Sequence, residues 1–260
     1  MTKQVLLEVL DNHIGIITLN RPEAANSLSR QMLRELEKTI EEIKGRKDIF
    51  CTVITGSSDR VFCAGADLKE RKTMNEDEVI RTVKKIGEVI KKLEKMSMPT
   101  IAALNGSAFG GGLELALACD LRIARKNISM GLTETALAII PGAGGTQRLP
   151  RLIGLGKAKE LIYTAKRIDE HEAKEIGLIE HIFETNHFLD HVKSYAENIT
   201  QNGPIALKQA KLAIDLGYDV DIDRGLNIEH LCYKETIPTE DRREGLLAFQ
   251  EKRKPKYKGK

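Results

Sequence analysis

An apolar segment that opens on three glycines and carries a single carboxylate constrains this chain more than any other feature. Gly110-Gly111-Gly112 leads into Leu113 to Ala118, which reads as a buried helix with Glu114 inside it. An ionised carboxylate in such a stretch is costly unless it is partnered, and burial raises its pKa toward neutrality. Glu114 is therefore either half of a buried ion pair or a general acid/base. A second acid, Glu134, enters another apolar run, Ala136 to Ile140. It reads as the acid of a helix start or as a partner in the same chemistry. Spacing alone does not bring the two together.

Two more glycine segments follow apolar runs. Phe62-Cys63-Ala64-Gly65-Ala66-Asp67-Leu68 comes after the turn that ends a buried strand, and Pro141-Gly142-Ala143-Gly144-Gly145 follows Ile140. Glycine lets backbone approach a ligand, and a helix opening at Gly112 offers unpaired N–H groups. Donors from two separate loops can form an oxyanion hole without any catalytic side chain. The plainer alternative is that these glycines only permit close strand–helix packing.

The flanking pattern is α/β. Leu6 to Leu10 and Ile14 to Thr18 alternate like a hairpin across Asp11-Asn12-His13. Leu33, Leu36, Ile40 and Ile43 recur at helical spacing after Ser29, with Gly45 as a stop, and Ile49 to Thr55 reads as a buried strand. A long helix should open at Asn75, with Glu78 completing a capping box, and end before Pro99. Strands are expected at Thr100 to Leu104 and Leu121 to Ala124. Helices then dominate: 157–165, 169–176, 188–200, 204–216, 221–235 and 240–251. This divides the chain into an α/β core over 1–185 carrying the active site and a helical oligomerisation region with a basic tail over 186–260.

Several function classes drop out. The chain is 41% apolar and 30% charged, enough for a well-cored globular fold and unlike a disordered chain. Cys51, Cys63, Cys119 and Cys232 form no CxxC, which argues against a disulfide framework or a thiolate metal site and for a reducing, cytoplasmic setting. The N-terminus reads as no secretory signal, and the most membrane-like stretch, Pro99 to Leu121, is interrupted by Asn105, Glu114 and Asp120. Gly142-Ala143-Gly144 lacks the third glycine of a dinucleotide fingerprint, and no Walker A, GxSxG or HExxH motif is present. Net charge is +3, but the last nine residues hold six basic and no acidic residues, so the rest of the chain is mildly acidic. That balance does not suit a general nucleic-acid-binding domain.

Three segments together, Phe62 to Glu70, Asn105-Gly106 through Asp120 and Pro141 through Pro150, resemble the enoyl-CoA hydratase/isomerase (crotonase) family in order and spacing. The likeness runs over residues 5–260. Asn26-Ser27-Leu28-Ser29, Lys69-Glu70-Arg71, Thr236 to Arg242 and Glu244 to Phe249 are most similar to the methylglutaconyl-CoA hydratases within it. The resemblance implies a crotonase-like spiral of ββα units with a helical C-terminal trimerisation region, and a homo-hexamer built as a dimer of trimers. It implies that Glu114 and Glu134 are the catalytic carboxylates and that Ala66 and Gly111 donate the oxyanion-hole N–H groups. It places Glu23, Ala24, Ala25, Ala64, Gly65, Ala66, Asp67, Leu68 and Lys69 on the coenzyme A side, with Phe249 and Lys252 reaching the nucleotide from the last helix. Where many relatives carry a lysine and a leucine in the early turn, this chain has Glu23 and Ala25, so phosphate contact shifts to Lys69, Arg71 or the tail.

The implied reaction is hydration of a 2-enoyl-CoA thioester, a carbon–oxygen lyase step in which coenzyme A is part of the substrate and no metal or redox cofactor takes part. The overall likeness favours 3-methylglutaconyl-CoA, in leucine degradation. General short-chain (crotonyl-CoA) hydration in fatty acid metabolism is the alternative. The distal carboxylate of the branched substrate calls for a basic group, and Arg71, Lys72 and Arg81 lie close in sequence to the active-site loop. A rival of another class is RNA binding through Arg30, Arg34 and Lys38. They recur every four residues and match a basic stripe credited with RNA contact in the animal relative, but Glu37 and Glu41 dilute the field and no aromatic is interleaved.

Overall fold

The computed structural model describes residues 3–260. The chain opens with β1 (Val5–Val9) and β2 (Ile14–Leu19), the expected antiparallel hairpin, in which Leu7 pairs with Ile17. Helix α1 (Arg30–Lys44) starts where Ser29 Oγ accepts from the Met32 N–H, which satisfies one of the orphan donors of the first turn. Strand β3 (Cys51–Gly56) is buried on both faces, as a central parallel strand must be.

From here the chain repeats one move. It crosses from a large sheet to a small one, then returns through a helix. Strand β3 leads to β4 (Val61–Cys63), then to α2 (Leu68–Arg71) and α3 (Glu76–Glu94). Strand β5 (Thr100–Leu104) leads to β6 (Ser107–Phe109) and α4 (Gly111–Leu117). Strand β7 (Leu121–Arg125) leads to β8 (Ser129–Gly131), a 3₁₀ turn at Glu134–Leu137, α5 (Gly145–Ile153) and α6 (Leu155–Tyr163). After β9 (Ile168–Asp169), α7 (Glu170–Glu175) and β10 (His181–Phe183), only helices remain: α8 (Phe188–Thr200), α9 (Pro204–Gly217), α10 (Ile222–Thr236) and α11 (Glu240–Gln250).

The large sheet runs β1-β2-β3-β5-β7-β10 and the small one β4-β6-β8-β9. All neighbours are parallel except β1/β2 and β8/β9. Two apolar layers cover the large sheet. Ile14, Ile16, Val53, Ile101 and Ile123 pack against Phe188, Val192 and Ala196 of α8. The opposite face joins Ile17, Leu19, Ile54 and Leu104 to α1, α3 and α4 through Leu36, Ile40, Ile90 and Leu113.

Asn105 pins the corner between the sheets. Its Oδ1 accepts from the Gly56 N–H at 2.9 Å and the Thr55 hydroxyl at 3.1 Å, while its Nδ2 donates to the Gly56 carbonyl at 2.9 Å. The loops after β4 and β6 are thereby held side by side, which is what the site requires.

Candidate active site

The glycine segments after β4 and β6 meet. Gly65 takes φ +90°, and a β-carbon there would lie 2.8 Å from the Phe109 carbonyl and 2.9 Å from the Gly111 nitrogen. Only glycine fits such a conformation pressed against a neighbouring backbone. At Gly112 a β-carbon would meet the Cys63 carbonyl at 2.1 Å, so α4 and β4 touch backbone to backbone. These glycines therefore serve close packing, and that packing brings the Ala66 and Gly111 amides to one wall. Neither N–H donates to a protein acceptor among the described residues.

The loop that carries Ala66 is fixed from behind. Asn26 Nδ2 donates to the Val61 and Phe62 carbonyls, and the Leu28 N–H donates to the Gly65 carbonyl at 2.8 Å. Asp67 is buried; it caps α2 through the Lys69 and Glu70 N–H groups and accepts from Arg21 at 2.5 Å. Sequence reasoning did not single out Arg21 or Asn26 for this role. Their signal was present: polar residues in a turn, with Asn26 preceding Ser27-Leu28-Ser29.

Glu114, 3% exposed, projects from α4 and accepts at one oxygen from the Ala143 N–H at 2.7 Å and the Gly145 N–H at 2.8 Å. The third glycine segment thus spends its amides on a carboxylate. Burial pushes Glu114 above the usual carboxylate range, and these two N–H groups and the nearby Arg148 work against that shift. Arg148 also donates to the Ala143 carbonyl at 2.9 Å and forms a bidentate pair with Glu94 at 2.7 and 2.9 Å, bracing the loop. Arg148 was not foreseen either.

Glu134 begins the 3₁₀ turn rather than an α-helix. Its Oε1 lies 3.0 Å from where a β-carbon of Gly110 would sit, and its Oε2 is buried without a hydrogen-bond partner. Burial, reinforced by the charge of Glu114, pushes Glu134 up to about 7, although Arg71 pulls the other way. The two carboxylates expected from sequence share one cavity of about 130 Å³ with Ala64, Gly65, Ala66, Leu68, Gly110 and Gly111.

The apolar run after Glu134 does not pack into the core. The left-handed Ala138 ends the 3₁₀ turn and leaves Leu137, Ile139 and Ile140 lining the cavity with much of their surface open.

The other sequence candidates lie elsewhere. Glu23 and Ala24 belong to a separate 3₁₀ turn, Pro22–Ala24, capped by Ala25, whose carbonyl accepts from the Ala64 N–H at 3.0 Å. Lys69 does not line the cavity, Phe249 is 84% exposed on α11, and Lys252 follows that helix. Arg30 and Arg34 line a groove of about 370 Å³ between α1 and α3, with Glu78, Arg81 and Lys85; Lys38 is exposed farther along α1.

Residues 10–260 match the family model described as enoyl-CoA hydratase/isomerase. The chain belongs to this family. It is 56% identical over 259 residues to YngF of Bacillus subtilis (strain 168), itself a candidate enoyl-CoA hydratase/isomerase, with all of both chains covered. It is 49% identical to the human mitochondrial methylglutaconyl-CoA hydratase over 257 residues, 97% of this chain and 76% of that one. The crystal structure of an enoyl-CoA hydratase from Bacillus anthracis superposes with a TM-score of 0.97 at 50% identity, covering 99% of this chain and 100% of that one. The α/β fold of paired parallel sheets and helices is thus the crotonase fold, and the chain is an enzyme of the enoyl-CoA hydratase family, which acts on acyl-CoA thioesters. No described helix is long and apolar enough to cross a membrane.

Proposed function

We propose that this enzyme adds water across the double bond of 2-enoyl-CoA thioesters, with 3-methylglutaconyl-CoA as preferred substrate and 3-hydroxy-3-methylglutaryl-CoA as product. One observation carries the reaction: a buried carboxylate, Glu114, a half-buried one, Glu134, and two unpaired loop amides line a single cavity. At about 130 Å³ it is smaller than the ~300–1,000 Å³ of a drug-sized ligand pocket, so it takes only the reacting end of the thioester.

The Ala66 and Gly111 N–H groups grip the thioester oxygen, and their bonds strengthen as it gains enolate charge. Glu114 is oriented by Ala143 and Gly145 and keeps one oxygen for water. It takes a proton as the water oxygen bonds to C3. Glu134, protonated near neutral pH and without a competing partner, gives its proton to C2 as the enolate collapses. The proton on Glu114 then passes back to Glu134 through solvent, which resets the pair and leaves the sum H₂O plus alkene. The two groups titrate as a unit. The step is redox-neutral and requires nothing beyond the substrate's own coenzyme A.

Preference for the branched dicarboxylic thioester, a compound of leucine degradation, is supported by the likeness to the human enzyme. Crotonyl-CoA is the alternative. Coenzyme A would extend past Ala64 to Lys69 and the Glu23-Ala24-Ala25 turn toward Phe249 and Lys252 of a neighbouring subunit. Exposed Ile214, Ile222, Leu226 and Leu231 on α9 and α10 support self-association, which we take to a trimer and a hexamer of two trimers. The buried thiols Cys51, Cys63 and Cys119, each pushed up to about 12 by burial, suit a cytoplasmic setting. The RNA-binding alternative is weaker: in the α1/α3 groove Arg30 faces Glu78 at 3.4 Å, and no aromatic lines it for stacking.

The test is kcat/KM on 3-methylglutaconyl-CoA and crotonyl-CoA for the wild type, Glu114→Gln and Glu134→Gln. A wild type that hydrates neither would sink the reaction. Comparable rates on both would replace the branched substrate with the short-chain one.

A further inference from the structure

We propose that Arg148 and Glu94 are a positioning pair for the general base Glu114. Together they hold the Ala143 backbone so that its amide stays aimed at one Glu114 oxygen and leaves the other for water. This rests on reading the cavity as a hydratase site. Arg148 lines no part of that cavity, so it acts through the loop and not on the substrate.

The contacts form a relay from the end of α3 to the cavity. Nε and Nη2 of Arg148 donate to the two oxygens of Glu94, at 2.7 and 2.9 Å. Nη1 donates to the Ala143 carbonyl at 2.9 Å, and the N–H of the same residue donates to Glu114 Oε1 at 2.7 Å. Ala143 is therefore gripped on both sides, by a cation behind and by the carboxylate it orients in front. A guanidinium fixed bidentately has its remaining donor direction fixed as well, which an ammonium cannot reproduce. Gly144, at φ +110°, makes room for the grip, since a β-carbon there would collide with Nη1. Both charged side chains are half-buried. Pairs of that kind can often be exchanged for apolar side chains without loss of stability, so stability alone does not account for this one.

Arg148 supplies charge as well as shape. Glu134 shares the cavity with Glu114, Arg71 lines it from α2, and Lys95 and Lys211 act on Glu94 from farther back. Arg148 is the cation that opposes the burial-driven rise of Glu114. Without it Glu114 should hold its proton more tightly and reach its base form only at higher pH.

The experiment measures kcat and KM across pH on crotonyl-CoA and 3-methylglutaconyl-CoA. It uses the full-length wild type, Arg148→Met, Arg148→Lys, Glu94→Gln and the double variant Arg148→Met with Glu94→Gln. Arg148→Met should lower kcat on the order of 10²-fold, the scale of a small misplacement of a reacting group, and change KM by less than about threefold. It should also move the acid limb of the kcat profile to higher pH. Arg148→Lys should recover part of kcat and leave that limb in place. Glu94→Gln loosens the fork but keeps the cation, so it should lower kcat by less and not move the limb upward. The double variant leaves no orphaned charge, and it should retain both the loss of kcat and the shifted limb. A double variant with wild-type kcat would show that Arg148 only balances Glu94, and would overturn the proposal. So would a double variant that does not fold, a loss confined to KM, or a limb that stays in place in Arg148→Met. A wild type inactive on both thioesters would instead end the hydratase reading.

Discussion

The cavity that holds Glu114 and Glu134 and the α1/α3 groove contain the same kinds of charged side chain and treat them in opposite ways. In the cavity burial pushes Glu134 up to about 7, with the charge of Glu114 adding to it, and burial raises Glu114 as well. Beside the groove Glu37 is held below the usual carboxylate range by Lys85 and Lys92, and Glu41 by Lys92 and Lys44. What differs is access to water and countercharge. A carboxylate that is desolvated and short of cations becomes a proton donor near neutrality, whereas one that is hydrated and flanked by lysines remains an anion.

The largest effect should come from neutralising the cavity. Glu114→Gln and Glu134→Gln should each lower kcat by about 10³-fold, in the range of a general acid or base. Gln at 114 retains an oxygen for the Ala143 and Gly145 N–H groups, so the thermal midpoint should stay within a few degrees. A collapse of the fold together with the rate would show these acids to be structural.

Next comes the backbone contact beneath the amides. Gly112→Ala drives a methyl into the Cys63 carbonyl, and overpacking of this kind costs about 1–3 kcal/mol. Urea unfolding should register the loss, and the turnover of what remains folded should drop because the wall carrying Gly111 shifts. An unchanged midpoint would mean that the two loops are not pressed together as described.

A smaller and more diagnostic effect is the pH response. If protonated Glu134 supplies the C2 proton, hydration should decline as pH rises through about 7, and Glu134→Gln should lose that limb. Stability shares the sign. The folded pKa lies above the ordinary value, so the contribution is fully present below about 4.5 and is lost as pH climbs to about 7. A rate that increases across this interval would reverse the assignment of acid and base.

Legibility in the sequence tracked the length and locality of each feature. The Asn75–Glu78 capping box, the Ser29 cap and the Thr100–Leu104 strand are local patterns, and each lies where periodicity placed it. The small sheet was missed because β4, β6 and β8 have three residues each, too few for alternation to register. Helix α5 was hidden by Pro150, which reads as a breaker yet sits inside it. The Ala136 to Ile140 run was legible as apolar but not as the lining of a cavity mouth. For the site, the burial of Glu114 could be inferred from its neighbours, but its meeting with Glu134 is a tertiary fact that only the family resemblance supplied. Arg71, Lys72 and Arg81 could all be named as basic neighbours of the loop, but that only Arg71 of the three lines the cavity needed coordinates.

The groove should show the smallest effects, and that is where the comparison is most exposed to failure. Lys85 bonds both oxygens of Glu37, at 2.8 and 2.7 Å, and Arg30 faces Glu78 at 3.4 Å, but all four side chains remain substantially hydrated. Exposed pairs of this kind are worth about 0–1 kcal/mol and weaken with salt. Lys85→Ala and Arg30→Ala should therefore move the urea midpoint little and leave kcat/KM on the enoyl thioester within about twofold, and added salt should shrink even that difference. If the groove serves a polyanion instead, the same variants will weaken binding of an oligoribonucleotide, and affinity will fall steeply with ionic strength while hydratase activity does not change. A large loss of hydration in either variant would mean that charge at this surface is coupled to the cavity, and the contrast between a buried reactive pair and a solvated inert one would fail.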